Sequence, residues 1–169
     1  MNLTFEEAEG LMTEIGEALG TFYHNSEVVI CPPTIYLELI TDLANEYNLL
    51  AGAQNCSKFE NGAYTGEISA SMLASLEVNF CIVGHSERRK LFGETNEIVA
   101  RKVDALHKQQ IIPIVCCGES LTERQKGIHF EVVKKQLQES IFHLSKELFA
   151  HIIVAYEPVW AIGTGENAT

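Results

Sequence analysis

Two segments of the chain hold residue types that can move a proton. The first is V-A-Y-E-P-V-W-A-I-G-T-G, Val154 to Gly165. A run of apolar, β-prone residues (Ile152, Ile153, Val154, Ala155, Tyr156) ends in a carboxylate, Glu157. Pro158 then withdraws a backbone donor, so a strand cannot continue through it. Val159, Trp160, Ala161 and Ile162 are apolar where a loop must run, and Gly163-Thr164-Gly165 closes the segment with two permissive backbone positions. An acid at a strand end, followed by an apolar loop between a stiff and a flexible hinge, has the make-up of a general base under a lid that excludes water. The same stretch also reads as a strand entering a turn, with Trp160 in the core. The second segment is Gly84-His85-Ser86-Glu87-Arg88-Arg89, directly after the apolar run Phe80–Val83. Its imidazole can donate or accept near neutral pH, although a histidine in such a place is also an ordinary satisfied polar residue.

Composition bounds what these residues can serve. The 169 residues are 46% hydrophobic and 21% charged, the profile of one ordinary globular domain over residues 1–169. The net charge of −11 argues against a nucleic-acid surface. It also means that an anionic substrate would depend on local fields, such as helix N-termini, to overcome an unfavourable global one. The longest apolar runs fall well short of a membrane span of about 20 residues, and the acidic start M-N-L-T-F-E-E lacks the features of a signal peptide. Five cysteines (Cys31, Cys56, Cys81, Cys116, Cys117), an odd number with no C-x-x-C, point to reduced, buried thiols in a cytoplasmic protein. The histidines at 24, 85, 107, 129, 143 and 151 lack ligand spacing, so neither a metal site nor a cofactor is expected.

The elements that must position the site follow from periodicity. Thr4-Phe5-Glu6-Glu7 fits a capping box, and Leu11, Ile15, Ala18 and Leu19 recur at helical spacing up to Gly20. Strands are expected at Val28–Cys31, Leu49–Ala53, Phe80–Val83, Ile111–Cys117 and His151–Tyr156. Helices are expected at Ile35–Tyr47, Ser69–Leu76, Ser86–Arg89, Thr95–Gln109 and His129–Leu148. The last carries Phe130, Val133, Leu137, Ile141, Leu144 and Leu148 as one apolar face. Gln54–Glu67 is a long loop of turn residues, which suggests binding or assembly. The strands are continuously apolar and do not alternate, as in a parallel sheet covered on both faces. Polar or special residues gather at their C-terminal ends: Cys31-Pro32, Gln54-Asn55, His85-Ser86-Glu87, Gly118-Glu119 and Glu157. In an α/β barrel that end is the active face.

These residues resemble the triosephosphate isomerase family. The resemblance lies in G-H-S-E-R-R at 84–89, G-A-Y-T-G-E at 62–67 and A-Y-E-P-V-W-A-I-G-T-G at 155–165, with I-C-P-P at 30–33, G-A-Q-N at 52–55 and C-G-E-S at 117–120, all in family order. It implies an α/β fold, an incomplete (β/α)8 barrel with parallel strands two to six and flanking helices. It implies interconversion of dihydroxyacetone phosphate and glyceraldehyde 3-phosphate in glycolysis and gluconeogenesis. Glu157 would be the carboxylate base and His85 a neutral electrophile at a helix start. Pro158, Val159, Trp160, Ala161, Ile162, Gly163, Thr164 and Gly165 would be the lid, with the Gly163 backbone on the phosphate and Glu87 in the floor of the site. Tyr64, Thr65, Glu67 and Arg88 would lie at a homodimer interface, Thr65 entering the neighbour's site and Glu67 pairing with Arg88 across it. Cys116 matches a buried structural thiol.

The sequence departs from the family pattern at both ends. Full members have eight strand–helix units in roughly 250 residues. This chain starts just after the place of the family's N-W-K strand and stops in unit six. The catalytic lysine is missing from it, and every other lysine falls in a loop or helix. Two consequences are expected for a truncated chain. The strands Val28–Cys31 and Ile152–Tyr156 become exposed apolar edges, favouring a homodimer unlike the family's. Turnover is small or absent, leaving a non-catalytic, self-associating barrel remnant as the alternative to an isomerase.

Overall fold

A computed structural model describes residues 2–20 and 26–162. Thr4 opens the first helix, α1 (Phe5–Gly20): its N–H and hydroxyl both donate to the Glu7 carboxylate, at 2.7 and 2.8 Å. The chain then runs through β1 (Val29–Ile30), a 3-10 turn (Thr34–Tyr36), α2 (Leu37–Glu46), β2 (Leu50–Ala53), α3 (Ala70–Ala74), β3 (Phe80–Val83) and α4 (Ser86–Phe92). It continues through α5 (Asn96–Lys108), β4 (Ile112–Cys117), α6 (Leu121–Gln125), α7 (His129–Ile141), α8 (Lys146–Phe149) and β5 (Ile153–Tyr156). No helix among the described residues is long and apolar enough to cross a membrane.

The five strands lie in chain order and every neighbouring pair is parallel. Parallel neighbours need crossover connections, and crossovers of one hand put successive helices on the same face of the sheet. The result is a sector of a barrel wall with helices outside it. The strand ends singled out in the sequence therefore share one side.

Two apolar clusters hold the sector together. In the larger, Leu73, Val83, Val99, Val103, Leu106 and Ile141 are among the fully buried side chains that join α3, β3, α5 and α7. In the smaller, α1 packs on α2 and the first strands through Ala8, Met12, Ile40, Ala44 and Ala51. The buried line of α1 is Ala8, Met12 and Gly16, whereas Leu11 stays 46% exposed and Ala18 is exposed. The stripe is rotated from the expected one because Gly16 leaves room for the Tyr47 ring: a Cβ there would overlap the ring.

Other expectations need correction. The helix over His129–Leu148 is two helices. Ser145 caps the second, its hydroxyl accepting from the Leu148 N–H, and Phe142 and Phe149 meet edge-to-face at 6.2 Å across the break. Phe130 is 78% exposed and does not belong to the buried face. Helix α6 was absent from the expected elements, although Ser120 and Glu123 form a reciprocal capping box at its start. The two outer strands also differ. Val29 and Ile30 of β1 are half-buried, while Ile153, Val154 and Tyr156 of β5 are 44–48% exposed. The open apolar edge is therefore chiefly β5.

Replacing Gly by Ala inside a helix ordinarily stabilises by about 0.5–1 kcal/mol. Gly10 has open space around it, so Gly10→Ala is expected to show that gain. Gly16→Ala is expected to lose about 1–3 kcal/mol by overpacking against Tyr47. Urea denaturation of the two variants should therefore give shifts of opposite sign on the same helix.

Candidate active site

His85 leaves β3 through Gly84, whose positive φ of 71° turns the chain outward. It then caps α4, with Nδ1 accepting from the Glu87 N–H at 3.3 Å. A ring nitrogen that accepts cannot carry a hydrogen, so the neutral ring holds its proton on Nε2. That nitrogen stands 3.5 Å from Oε2 of Glu157.

Glu157 is set at the end of β5 by its own backbone, its N–H donating to the Cys117 carbonyl at 2.8 Å. Pro158 adds no donor, and the Val159 N–H bonds the Glu119 carbonyl at 3.1 Å. The Glu157 backbone comes so close to Gly118 that a Cβ at 118 would run into the Glu157 carbonyl. Gln136 on α7 fixes Gly118 from the other side, donating to its carbonyl at 3.0 Å and accepting from its N–H at 2.9 Å. The Glu157 Oε2 atom is shielded from solvent and has no hydrogen bond. Glu157 also borders a cavity of about 330 Å³ whose wall includes Ser86, Arg89 and Gln136. Burial, and secondarily the Glu157 carboxylate, push the neighbouring Cys116 thiol up to about 12.

The first residues of the expected lid, Pro158 to Ile162, form a turn closed by the Ala161 N–H on the Pro158 carbonyl at 2.8 Å. Gly163, Thr164 and Gly165 lie outside the described residues. Trp160 is half-buried, and its indole N–H donates to Glu119 at 2.9 Å. Glu119 is fully buried and also accepts from the Tyr156 hydroxyl, with Arg124 at 3.4 Å. Burial works to raise this carboxyl, but the Trp160 and Tyr156 donors and the Arg124 charge hold it below its ordinary value. Glu119 thus fastens the start of the expected lid to the end of β4.

The remaining sequence candidates divide. The Glu87 side chain is 75% exposed and 3.7 Å from His85 Nδ1, so its backbone serves the site more directly than its carboxylate. The buried carboxylate beneath this turn is Glu94. It accepts from the Gly84 N–H, Arg88 Nε at 2.9 Å and Lys102 Nζ at 2.6 Å. Arg88, expected to pair across an interface, is thus engaged within its own chain and also lies over the Phe92 ring at 5.0 Å. Tyr64 stacks on Phe59 at 3.8 Å, while Thr65 and Glu67 are exposed on the same turn. Lys90 borders the cavity beside Glu157 but is exposed on α4.

Glu94 is not among the candidates the sequence offers, and Lys102 counts there only as one of the lysines on a helix or loop. A signal for Lys102 existed: it falls on the buried stripe of α5 with Val99, Val103 and Leu106, and a charge there needs a buried partner.

Comparisons with known proteins agree on one family. The family model described as Triosephosphate isomerase matches residues 1–169. The triosephosphate isomerases of Flavobacterium psychrophilum and Bacteroides fragilis are each 47% identical over 169 residues, covering 100% of this chain and 67% of the relative. The crystal structure of triosephosphate isomerase from Bartonella henselae superimposes with a TM-score of 0.84 at 36% identity, covering 95% of this chain and 65% of that one. The chain thus spans about two thirds of the length of the relatives it matches.

Burial alone would raise the Glu94 carboxyl, but its Lys102, Arg88 and Gly84 partners outweigh this and hold it below its ordinary 4.5. A carboxyl lowered in the folded state contributes stability above its unfolded value and loses it as pH falls through the folded one. Stability to urea is therefore expected to drop below about pH 4.5. In Glu94→Gln that acid limb should flatten. At neutral pH the variant should be less stable by about 3–5 kcal/mol, because Lys102 is left buried without its counter-ion.

Proposed function

We propose that this chain, which belongs to the triosephosphate isomerase family, carries that family's acid–base pair in His85 and Glu157. The observation behind this reading is the 3.5 Å approach of Nε2 to Oε2, with Nδ1 already occupied as an acceptor. Glu157 takes the proton from the carbon beside the carbonyl of a triose phosphate. The electron pair moves to the carbonyl oxygen, which accepts a hydrogen bond from Nε2–H; a proton then passes from the adjacent hydroxyl to that oxygen, and Glu157 returns its own proton to the neighbouring carbon as the former hydroxyl becomes the new carbonyl. This interconverts dihydroxyacetone phosphate and glyceraldehyde 3-phosphate, a step of glycolysis and gluconeogenesis in the cytoplasm. The lid that begins at Pro158, latched by Glu119, would keep water from the intermediate. Gly163 would bind the phosphate, and Thr65, Glu67, Tyr64 and Arg88 would face a second subunit.

The same reading limits the rate. The lysines of these 169 residues sit on helices and in loops, so the pair works without a cation projecting from a strand end. Loss of one preorganised group that stabilises developing charge costs about 10²–10³ in rate. In an assay coupled to consumption of glyceraldehyde 3-phosphate, turnover by the 169-residue chain is expected at least that far below a relative such as the Flavobacterium enzyme. Glu157→Gln should abolish what remains. Turnover that survives the substitution would remove Glu157 from the mechanism.

A second reading, a non-catalytic and self-associating barrel remnant, draws support from the exposure of Ile153, Val154 and Tyr156 on β5. An apolar strand edge of this kind pairs with another chain unless it is covered. It predicts no turnover together with a homodimer in sedimentation that Ile153→Lys dissociates. Glu157-dependent turnover would exclude it.

A further inference from the structure

We infer that Arg89 is a positioning residue for the His85–Glu157 pair, bridging the strand ends on which the two side chains stand. The inference rests on the reading of these two residues as the acid–base pair. The register of β3 with β4 ends at Val83↔Val115, whereas β4 stays paired with β5 through Cys116↔Ala155 and Cys117↔Tyr156. Past Val83, the strand that leads to His85 turns away while β4 and β5, the latter leading to Glu157, run on together. The Arg89 guanidinium occupies that divergence. Its Nε donates to the Gly84 carbonyl at 2.7 Å and its Nη2 to the Cys116 carbonyl at 3.3 Å. Gly84 is bonded directly to His85, and Cys116 is one residue from the carbonyl that holds the Glu157 N–H. A continuous path therefore runs from His85 through the guanidinium and the β4–β5 ladder to Glu157.

The bridge is itself anchored. Nη1 donates to Asn96 Oδ1 at 2.6 Å, and Asn96 donates in turn to Glu139 on α7 at 2.8 Å. The planar fork is what this job requires: three donors in fixed directions reach two carbonyls and one amide at once. A lysine would keep the charge but could not span both carbonyls in a fixed geometry. Arg89 touches neither Glu157 nor the His85 ring in any of these bonds, so its action is on their separation.

The test is solution NMR of the full 169-residue chain labelled with ¹⁵N-histidine, read at fixed pH. In the parent chain, Glu157→Gln is expected to move the His85 Nε2 resonance. In the Arg89→Lys background, most of that response should vanish while the Nδ1 resonance, which reports the local α4 cap, stays in place. A full Nε2 response in Arg89→Lys overturns the proposal, whatever happens to its stability in urea. A simultaneous change at Nδ1 also overturns it, since the cap has then opened and Arg89 serves the fold alone. No response to Glu157→Gln in the parent chain overturns both this proposal and the acid–base reading. If Arg89→Lys does not fold, Asn96→Ala is decided on the same criteria: it removes the anchor of Nη1 and leaves both carbonyl bonds possible. Partial loss of the Nε2 response supports the bridge, and a full response overturns it.

Discussion

The carboxylate of Glu94, buried behind the end of β3, accepts from the Gly84 N–H, from Arg88 and from Lys102, and Lys102 also donates to Asn55 at the exit of β2. Much of the C-terminal side of the sheet depends on this arrangement. Gly84 must turn out of the strand for His85 to cap α4, and a glycine in that conformation leaves its N–H without a ladder partner. Glu94 supplies the partner. Its remaining charge is met by two cations, so a carboxylate can stay in an apolar setting without losing its ionisation. Through Lys102 the same group reaches the neighbouring strand exit. The position of His85 is thus decided largely by Glu94 and Lys102, both buried beneath its turn.

Glu157 is held in a different way. Its backbone is laid against Gly118, its N–H is tied to Cys117, and the turn after it is fastened through Trp160 to Glu119. Of its carboxylate, the Oε2 atom is hidden from solvent and has no hydrogen bond. What fixes this residue is its main chain and the Trp160–Glu119 bond rather than any contact of its carboxylate.

Much of this was legible in the sequence. Strand and helix order, the shared polar ends and the two proton-moving segments follow from periodicity and from Pro and Gly punctuation. What escaped was decided by tertiary geometry. Phe130 has the spacing of a buried residue, but it stands at the exposed start of α7, where its ring lies beside His129. Leu11 is apolar at the right period, yet the contact made by Gly16 turns α1 past it. Glu94 and Glu119 look like ordinary acidic residues beside helix caps. Glu94 is buried by partners on the elements that flank it, Gly84, Arg88 and Lys102, whereas Glu119 draws Tyr156 and Trp160 from a distant segment.

Gly118 brings out how unevenly the molecule tolerates change. Its backbone is in a conformation open to any residue, and it offers no functional group. Yet any side chain there would have to push aside the peptide that carries Glu157, while Gln136 pins Gly118 from behind. In a library of all single substitutions, position 118 should therefore score like an active-site acid, as a site where the permitted alphabet shrinks to one letter for want of space.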